Sequence, residues 1–493
     1  MTEEKIRAIK LEKIQSMREQ GLNPYPERYE RSHTLSAAAQ LPAGTKSICV
    51  AGRMVSRREF GKLVFFDLQD LRGRLQISLQ ADQVGKDVFK TFGKLADVGD
   101  FIGVRGDLYL TKVGQLTLAA AEYTLLGKTL HALPEKYHAL ADQELKYRRR
   151  YLDLIMDEES RRRFTLRSRL ISALRTILDR NGFEEVDTPV LQTKPSGALA
   201  KPFATHHNAL DIPVFLRIAP ETYLKRCIVA GYDRVYEVAR VFRNEGMDPS
   251  HLQDFTMLEY YAAYWNYVDN MAFTERLLRE TLEIALGKQV VEIGGTRIDF
   301  GVEWPRRSLA DLIEEYAGID VNRTVDAESL RAAVAARGIE LEGTSKLGRG
   351  ALIDQLYKKV CRPNLVQPVF VTSHPIDLSP LARRSDDQAH LADRFQLVVR
   401  GWEIVNAYSE LVDPIDQRLR LDEQARLNAG GDDEAMLMDE DYLLAMEHGM
   451  PPISGWGLGV DRFAALAAGV ENLRDVVLFP LMKPESTGIA GEA

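Results

Sequence analysis

The sequence of 493 residues contains only three cysteines, Cys49, Cys227 and Cys361, and they are far apart. This scarcity excludes a disulfide-rich scaffold and a CxxC metal or redox pair. The chain also lacks a continuous apolar run of membrane-spanning length. Its first 21 residues include many charged side chains and lack the apolar run of a signal peptide. We therefore expect a protein of the reducing cytoplasm without a membrane segment.

A strong excess of positive charge is absent as well. The net charge is −8, and the hydrophobic and charged fractions of 45% and 28% are ordinary for a globular enzyme. These values argue against a surface that binds nucleic acid everywhere, so any such contact should be local. No GxxxxGK[ST] loop occurs, which makes ATP binding by that route improbable.

Short alternating segments with glycine-containing turns extend from Ser47 to Leu126 and are interrupted by a helical pattern near 84–95. This pattern predicts five strands that close into a small barrel of the OB type. Such barrels bind single-stranded nucleic acid through aromatic stacking. Phe65 and Phe66 are neighbours on one strand, so one of them must face inward; if Phe66 belongs to the core, Phe65 is the exposed platform.

The rest of the chain combines long strands with amphipathic helices. Helices are predicted at about 164–181, at 268–287 and at 306–317, and Pro189 interrupts the strand pattern of 183–191. Long antiparallel strands with helices on one side favour an α+β domain over a doubly wound parallel sheet.

Residues 235–264 form the most informative segment of this domain. Alternation on both sides of the sequence FRNEG predicts a hairpin with Arg243, Glu245 and His251 near its end. Glu259 and Tyr261, two residues apart, should share one strand face. The hairpin is suited to bind a polyphosphate, whereas the alternative is a solvated hairpin with ordinary surface charges.

Three glycines alternate near the C-terminus, at Gly455, Gly457 and Gly459, and are followed by a predicted helix that contains Arg462. Alternate positions of a strand share one face, so this face has no side chains. Glycine is costly inside a strand, which favours a functional reason such as close approach of a flat ligand below Arg462.

Three segments in this order resemble the motifs of class II aminoacyl-tRNA synthetases. Residues 182–189 resemble motif 1, residues 242–245 motif 2 and residues 457–462 motif 3. A preceding OB barrel indicates the subclass of the aspartyl, asparaginyl and lysyl enzymes. Within it, the bacterial lysyl enzymes are the most similar, through segments 205–211, 216–226, 379–384 and 432–452.

The resemblance implies a fold, an activity and partners. The fold is α+β, with a five-stranded OB barrel and a catalytic domain built on an antiparallel sheet flanked by helices. The activity is ATP-dependent activation of L-lysine and its transfer to the 3′-terminal ribose of tRNA(Lys), with Mg²⁺ as cofactor, in a cytoplasmic homodimer. An aspartyl or asparaginyl relative, a binding protein without catalysis and a protein-modifying relative are the alternatives; Arg243, Arg462 and the barrel argue against the last two.

We expect five regions along the chain. They are an N-terminal helical extension (1–46), an anticodon-binding OB domain (47–127), a linker with a charged helix (128–163), the catalytic domain (164–485, with motif 1 near 168–189, motif 2 near 235–264 and motif 3 near 455–468) and a C-terminal tail (486–493).

The resemblance also implies the residues of the catalytic site. Arg243 and Arg462 are the expected catalytic residues. The residues expected to bind ATP are Arg243, Glu245, His251, Phe255, Glu403, Gly459 and Arg462. Those expected to bind lysine are Gly197, Glu221, Glu259, Tyr261, Asn406, Tyr408 and Glu410. The second set has suitable chemistry, because a buried ammonium requires carboxylates and hydrogen-bonding partners, whereas a site for aspartate would need a cation.

The resemblance also implies residues that bind Mg²⁺ and residues that contact the tRNA anticodon. Glu403 is an expected Mg²⁺ ligand, and Gln396, where the family has a second glutamate, is a weaker one because an amide brings no charge. Ser250 likewise stands where an arginine is usual. Arg58, Phe65 and Gln76 match positions that contact the tRNA anticodon. 

Overall fold

The computed structural model describes residues 2–134, 142–344, 347–429 and 436–485, so the predicted tail at 486–493 lies outside it. The chain forms two units, Met1–Arg161 and Arg162–Ala493. Within the described ranges, no helix combines the length and the apolar character needed to cross a bilayer.

The first unit is built around a closed five-stranded barrel. Its helices are α1 (Glu3–Glu19), α2 (Leu35–Ala38), α3 (Ala81–Val84), α4 (Lys86–Leu95), α5 (Gln143–Arg148) and α6 (Arg150–Met156). Its strands are β1 (Ile48–Phe60), β2 (Leu63–Gln69), β3 (Arg74–Gln80), β4 (Phe101–Leu110) and β5 (Leu116–Gly127), and they close in the order β1-β2-β3-β5-β4. The predicted OB barrel, with helices between β3 and β4, is confirmed.

Alternation in β2 determines which phenylalanine enters the barrel core. Phe66 is fully buried and its ring centroid lies 5.2 Å from that of Phe92 on α4. Phe65 points to the other side and is half-buried. The strand therefore presents Phe65 on the outer surface of the barrel, as the sequence predicted for a buried Phe66.

The second unit contains most of the helices and the large sheet. Its helices are α7 (Glu158–Arg180, which begins just before the unit does), α8 (Glu221–Val229), α9 (Tyr267–Leu286), α10 (Leu309–Ala317), α11 (Ala327–Ala336), α12 (Arg349–Leu356), α13 (Pro414–Ala429), α14 (Glu440–Glu447) and α15 (Val460–Ala468). Its strands are β6 (Glu184–Glu185), β7 (Leu191–Gln192), β8 (Ala204–His207), β9 (Ile212–Leu216), β10 (Arg234–Phe242), β11 (Asp254–Ala263), β12 (Val290–Ile293), β13 (Thr296–Asp299), β14 (Arg306–Ser308), β15 (Val369–Pro375), β16 (Leu391–Val399), β17 (Trp402–Ser409) and β18 (Ile453–Gly459).

Eight strands form the large sheet in the order β14-β15-β16-β17-β18-β11-β10-β6. The six central strands are antiparallel, as predicted, whereas the short edge strands β14 and β6 pair in parallel with their neighbours. The start of the predicted helix 306–317 was wrong, because residues 306–308 extend along β15 and the helix begins at Leu309.

The two faces of the central sheet have different roles. On β11, Leu258 and Tyr260 are fully buried in the main core, where the ring of Tyr260 stacks on Trp456 with centroids 4.7 Å apart. The alternating residues Glu259 and Tyr261 point to the opposite face, which lines a cavity. One face therefore anchors the sheet to the helices and the other is available for chemistry.

Candidate active site

A cavity of about 310 Å³ lies on this second face. It is lined by all fourteen residues predicted to bind ATP or lysine: Gly197, Glu221, Arg243, Glu245, His251, Phe255, Glu259, Tyr261, Glu403, Asn406, Tyr408, Glu410, Gly459 and Arg462. Gln396 is not among the lining residues. The volume suits a small ligand that is largely enclosed.

The glycine strand β18 forms the floor between two strands that carry side chains. Gly457 lies opposite Glu259 on β11 and Asn406 on β17. A Cβ atom at Gly455 would collide with Glu410 Oε1 and the ring of Tyr261, whereas one at Gly459 would meet only Arg462. Gly455 is thus required by the packing of the acidic residues, and the surface left open to a ligand is that of Gly457 and Gly459.

One end of the cavity, here called the acidic end, contains Glu221, Glu259 and Glu410, all of which are buried. Tyr408 Oη donates a hydrogen bond to Glu221 Oε1 at 2.7 Å, and Tyr261 Oη donates one to Glu259 Oε2 at 3.2 Å. Glu410 Oε2 pairs with the ammonium of Lys225, whereas its Oε1 accepts no hydrogen bond among the described residues. A buried, incompletely satisfied carboxylate on a cavity wall favours a cationic ligand.

Burial changes the protonation of these carboxylates. Burial, reinforced by the charge of Glu221, raises the pKa of Glu259 from its ordinary value of 4.5 to about 8. Burial also raises the pKa of Glu410 well above its ordinary value, although Lys225 opposes the shift. A ligand ammonium would stabilise the charged forms and reverse both shifts.

Lys225 is a residue of this end that the sequence analysis missed. It lies on α8, four residues after Glu221, and its Nζ is 2.6 Å from Glu221 Oε1. It also forms an ion pair with Glu410, and its side chain is fully buried. The signal was present in the segment ETYLK, because a glutamate and a lysine four residues apart on a helix are neighbours.

The other end, here called the cationic end, contains Arg243, Arg462 and His251. The guanidinium of Arg243 lies over the ring of Phe255, 5.2 Å from its centroid, and its donors are 3.4 Å from the carbonyl of Ile218. Burial lowers the pKa of Arg243, against the attraction of nearby carboxylates, but a guanidinium stays charged at neutral pH. This group can therefore bind an anion in the cavity.

Arg462 and the hairpin loop complete this end. Arg462 Nη1 donates to the carbonyl of Glu403 at 2.9 Å, and Nη2 donates to the carbonyl of Ser250 at 3.4 Å. His251 and Glu245 are exposed on the rim, where His251 Nδ1 lies 2.8 Å from Asp248 Oδ2. The cationic end is therefore more open to solvent than the acidic end.

Arg394, which lines the cavity, was also missed by the sequence analysis. Its Nε donates to Asn406 Oδ1 at 2.8 Å and its Nη1 donates to Ser379 Oγ at 2.9 Å. It thereby fixes the amide of Asn406 in the cavity. Alternation in the segment RFQLVV, which places 394 and 396 on one face, was the available signal.

The residues present fit one Mg²⁺ ion better than two. Gln396 is buried, and its Nε2 donates to Glu403 Oε2 at 2.8 Å, so it presents an N–H group to that carboxylate. The described residues contain no cluster of three or more side chains able to hold a metal. Mg²⁺ is commonly bound by one or two carboxylates together with substrate phosphates, which suits Glu403 alone.

The three predicted anticodon residues share the outer face of the barrel. Arg58 on β1 lies opposite Phe65 on β2, and Gln76 on β3 is the partner of Asp67, two residues further along β2. Phe65 is half-buried, and Gln76 Oε1 accepts a hydrogen bond from Thr117 Oγ1 at 2.9 Å. A cation, a ring and an amide are thus adjacent on one surface.

Comparison with known proteins agrees with both units. Residues 142–483 match the family described as tRNA synthetases class II (D, K and N), and residues 48–126 match the OB-fold nucleic acid binding domain. The lysine–tRNA ligase of Pelotomaculum thermopropionicum is 45% identical over 97% of this chain and 94% of its own. Those of Moorella thermoacetica and Bacillus subtilis are each 42% identical, over 98% and 96% of this chain and 99% and 96% of theirs.

Proposed function

This chain belongs to the class II tRNA synthetases and, among them, to the lysine–tRNA ligases, and we infer that it joins lysine to tRNA with ATP. The observation that carries the choice of lysine is the acidic end, where three buried carboxylates face a cavity that also contains Arg243 and Arg462. The direct test is ATP–pyrophosphate exchange with lysine, aspartate and asparagine offered separately. We expect exchange with lysine alone; exchange with aspartate or asparagine would contradict the assignment.

We propose that recognition of lysine depends on the chemistry of the acidic end. Glu221, Glu259 and Glu410, with Tyr261, Tyr408 and Asn406, would surround the two ammonium groups of the substrate. Gly197 supports this arrangement, because it has a φ of +89° and a Cβ atom there would lie 2.8 Å from that of Glu221. An aspartate side chain would instead meet buried carboxylates of its own sign, which is strongly unfavourable.

We propose that the cationic end binds the nucleotide. In the activation step, a carboxylate oxygen of lysine forms a bond to the α-phosphorus of ATP, and the bond from that phosphorus to the bridging oxygen breaks as pyrophosphate leaves. Arg243 would contact the α-phosphate and the lysine carboxylate, and so neutralise the charge that develops there. The adenine would lie between Phe255 and Arg462, above Gly459, with Glu245 and His251 at the rim.

Mg²⁺ belongs to this proposal as an ion held by Glu403 and the phosphates of ATP. When bound, it would supply positive charge to the phosphate oxygens. Gln396 would act on it only indirectly, through its hydrogen bond to Glu403. A second protein-bound ion at Gln396 is not part of the proposal.

We propose that Arg58, Phe65 and Gln76 contact the tRNA anticodon. A base stacked on Phe65 would contribute about 1–3 kcal/mol, and Gln76 would bond to its edge. Phe65→Ala should weaken aminoacylation by about tenfold or more and leave lysine-dependent pyrophosphate exchange unchanged. Phe101→Ala, on the exposed side of a different barrel strand, is the matched control. Equal loss of both activities in Phe65→Ala would contradict this role.

We propose further that the chain acts as a cytoplasmic homodimer. Val190 and Leu191, directly after motif 1, are 40% and 51% exposed, which is consistent with a surface that a second copy covers. The three cysteines are unpaired thiols, as suits a reducing compartment. Light scattering after gel filtration should give twice the mass of one chain; a monomer would contradict the dimer.

A further inference from the structure

Lys225 lies directly behind the carboxylates of the acidic end. It does not line the cavity, whereas its ion-pair partners Glu221 and Glu410 both do. Its ammonium also lies 5.8–5.9 Å from the centroids of three tyrosine rings, those of Tyr261, Tyr408 and Tyr442. The protein has therefore buried an ammonium of its own beside the place proposed for the ammonium groups of lysine.

The charges of this region can be counted. With lysine bound and the three carboxylates of Glu221, Glu259 and Glu410 charged, these groups would give −3 and Lys225 +1, which leaves −2 to be balanced by the ligand. Lysine brings two ammonium groups, and its carboxylate is assigned to Arg243. These four side chains and the two ammonium groups would thus be neutral together, which lowers the cost of burying their charges.

We propose that Lys225 is a positioning residue for lysine recognition, whose ammonium pairs with Glu221 and Glu410 and orients their free oxygens toward the substrate ammonium groups. This inference rests on the proposed function and extends it to a residue that does not touch the substrate.

The geometry gives Lys225 a specific effect on each carboxylate. At Glu221 it shares Oε1 with the hydroxyl of Tyr408, so that Oε2 remains for a ligand. At Glu410 it pairs with Oε2, while Oε1 lies against Gly455, where no side chain intervenes. Without this ammonium, the attraction that opposes the rise in the pKa of Glu410 is lost, so this carboxyl is protonated more readily. A protonated carboxyl is a weaker partner for a substrate ammonium.

Lys225→Met tests the proposal, because methionine has a similar length and no charge. We expect the KM for lysine in pyrophosphate exchange to rise about tenfold or more, while the KM for ATP changes less than twofold. Discrimination between lysine and norleucine, which lacks the ε-ammonium, should fall by a similar factor. Lys358→Met is the matched control, since Lys358 pairs with Asp354 four residues away on a partly exposed helix outside the cavity.

A purely structural role for Lys225 predicts a different pattern. In that case Lys225→Met would lower the melting temperature of the free protein, but added lysine would raise it by the same amount as in the wild type. The proposal predicts that this lysine-induced shift is lost while the shift caused by an ATP analogue is kept. An unchanged KM for lysine, or an unchanged norleucine discrimination, would overturn it.

A double variant keeps the test decisive if Lys225→Met does not fold. Lys225→Met with Glu410→Gln removes the unpaired carboxylate together with the ammonium, which should restore folding. Because Lys225 would act partly through Glu410, Lys225→Met should raise the KM for lysine by a smaller factor in the Glu410→Gln background than in the wild type. If the KM for lysine of the double variant rises by the product of the two single-variant factors, the proposal is overturned. Absence of lysine-dependent exchange in the wild type would instead refute the proposed function itself.

Discussion

The acidic and cationic ends of the cavity differ in how far they are assembled and closed to solvent before a ligand binds. At the acidic end, the carboxylates are buried, two tyrosine hydroxyls and Lys225 are already bonded to them, and Gly455 leaves room for their packing. At the cationic end, Glu245 and His251 are exposed, and a serine stands at position 250. An ammonium group loses its water when it enters a buried site, so a pocket that selects it must already present hydrogen-bonding carboxylates. A triphosphate with bound Mg²⁺ keeps much of its solvation, so its site can remain open.

The largest expected effect is at the cationic end. Arg243→Lys keeps the positive charge but loses the planar fork that can bond to a phosphate and a carboxylate at once. We expect the rate of lysine-dependent pyrophosphate exchange to fall by about 10²–10³-fold, the loss typical for removal of one donor to a developing charge. Pre-steady-state measurement of adenylate formation checks this. A change in the KM for lysine alone would show that Arg243 belongs to the acidic end.

The second largest effect is expected in the pH dependence of the KM for lysine, which reports on the acidic end. The pKa of Glu259 is raised to about 8 by burial, so in the free protein this carboxyl holds a proton at neutral pH. Binding of an ammonium must release that proton, and the KM for lysine should therefore fall about tenfold per pH unit between pH 6 and 8. Because the folded-state pKa exceeds the ordinary 4.5, the same group makes the free energy of unfolding decrease as pH rises from 4.5 to about 8.

Glu259→Gln provides the control for this pH effect. The variant should have a higher KM for lysine that depends less on pH in this range, and calorimetry in buffers of different ionisation enthalpy should detect less proton release than in the wild type. A wild-type KM for lysine that is constant from pH 6 to 8 would show that Glu259 is already ionised.

A smaller effect is expected for Tyr408→Phe. The change removes the hydroxyl that donates to Glu221 Oε1 and leaves the ring in place. A hydrogen bond to a charged group contributes about 1.5–3 kcal/mol. Because Lys225 still donates to the same oxygen, we expect the lower value of this range, which corresponds to a rise of about tenfold in the KM for lysine. Tyr357→Phe is the control, because the hydroxyl of Tyr357 is buried and has no hydrogen-bond partner among the described residues. Equal effects of the two changes would contradict a specific role for Tyr408.

The smallest effect should come from Gln396→Glu, which restores a second carboxylate beside Glu403. We expect the Mg²⁺ concentration for half-maximal exchange to fall by severalfold, because a charged ligand replaces a neutral amide. Without Mg²⁺, repulsion between the two carboxylates should lower the melting temperature, and added Mg²⁺ should restore it. If Mg²⁺ dependence is unchanged, position 396 has no influence on the metal.

The sequence predicted these strands and their orientations because the alternation of hydrophobic and polar residues along a strand is a local pattern. The barrel, the hairpin of β10 and β11 and the opposite orientations of Phe65 and Phe66 all follow from it. The resemblance to known motifs then supplied the candidate residues of both ends.

Contacts between distant elements could not be predicted in the same way. The ion pair of Lys225 with Glu410 joins α8 to the residue that follows β17, and nothing in either segment alone indicates the other. Likewise, the parallel edge strand β14 is only three residues long, too short for a periodic signal. The donation from Gln396 to Glu403 depends on side-chain geometry, which residue types do not specify.

Titration calorimetry of lysine and of an ATP analogue into the wild type and Glu410→Gln tests most directly whether the two ends act separately. Glutamine keeps the shape of Glu410 and removes its charge. We predict that the affinity for lysine falls by about tenfold or more while the affinity for the ATP analogue changes less than twofold. Equal losses for both ligands, or none for lysine, would contradict the assignment of lysine selection to the acidic end.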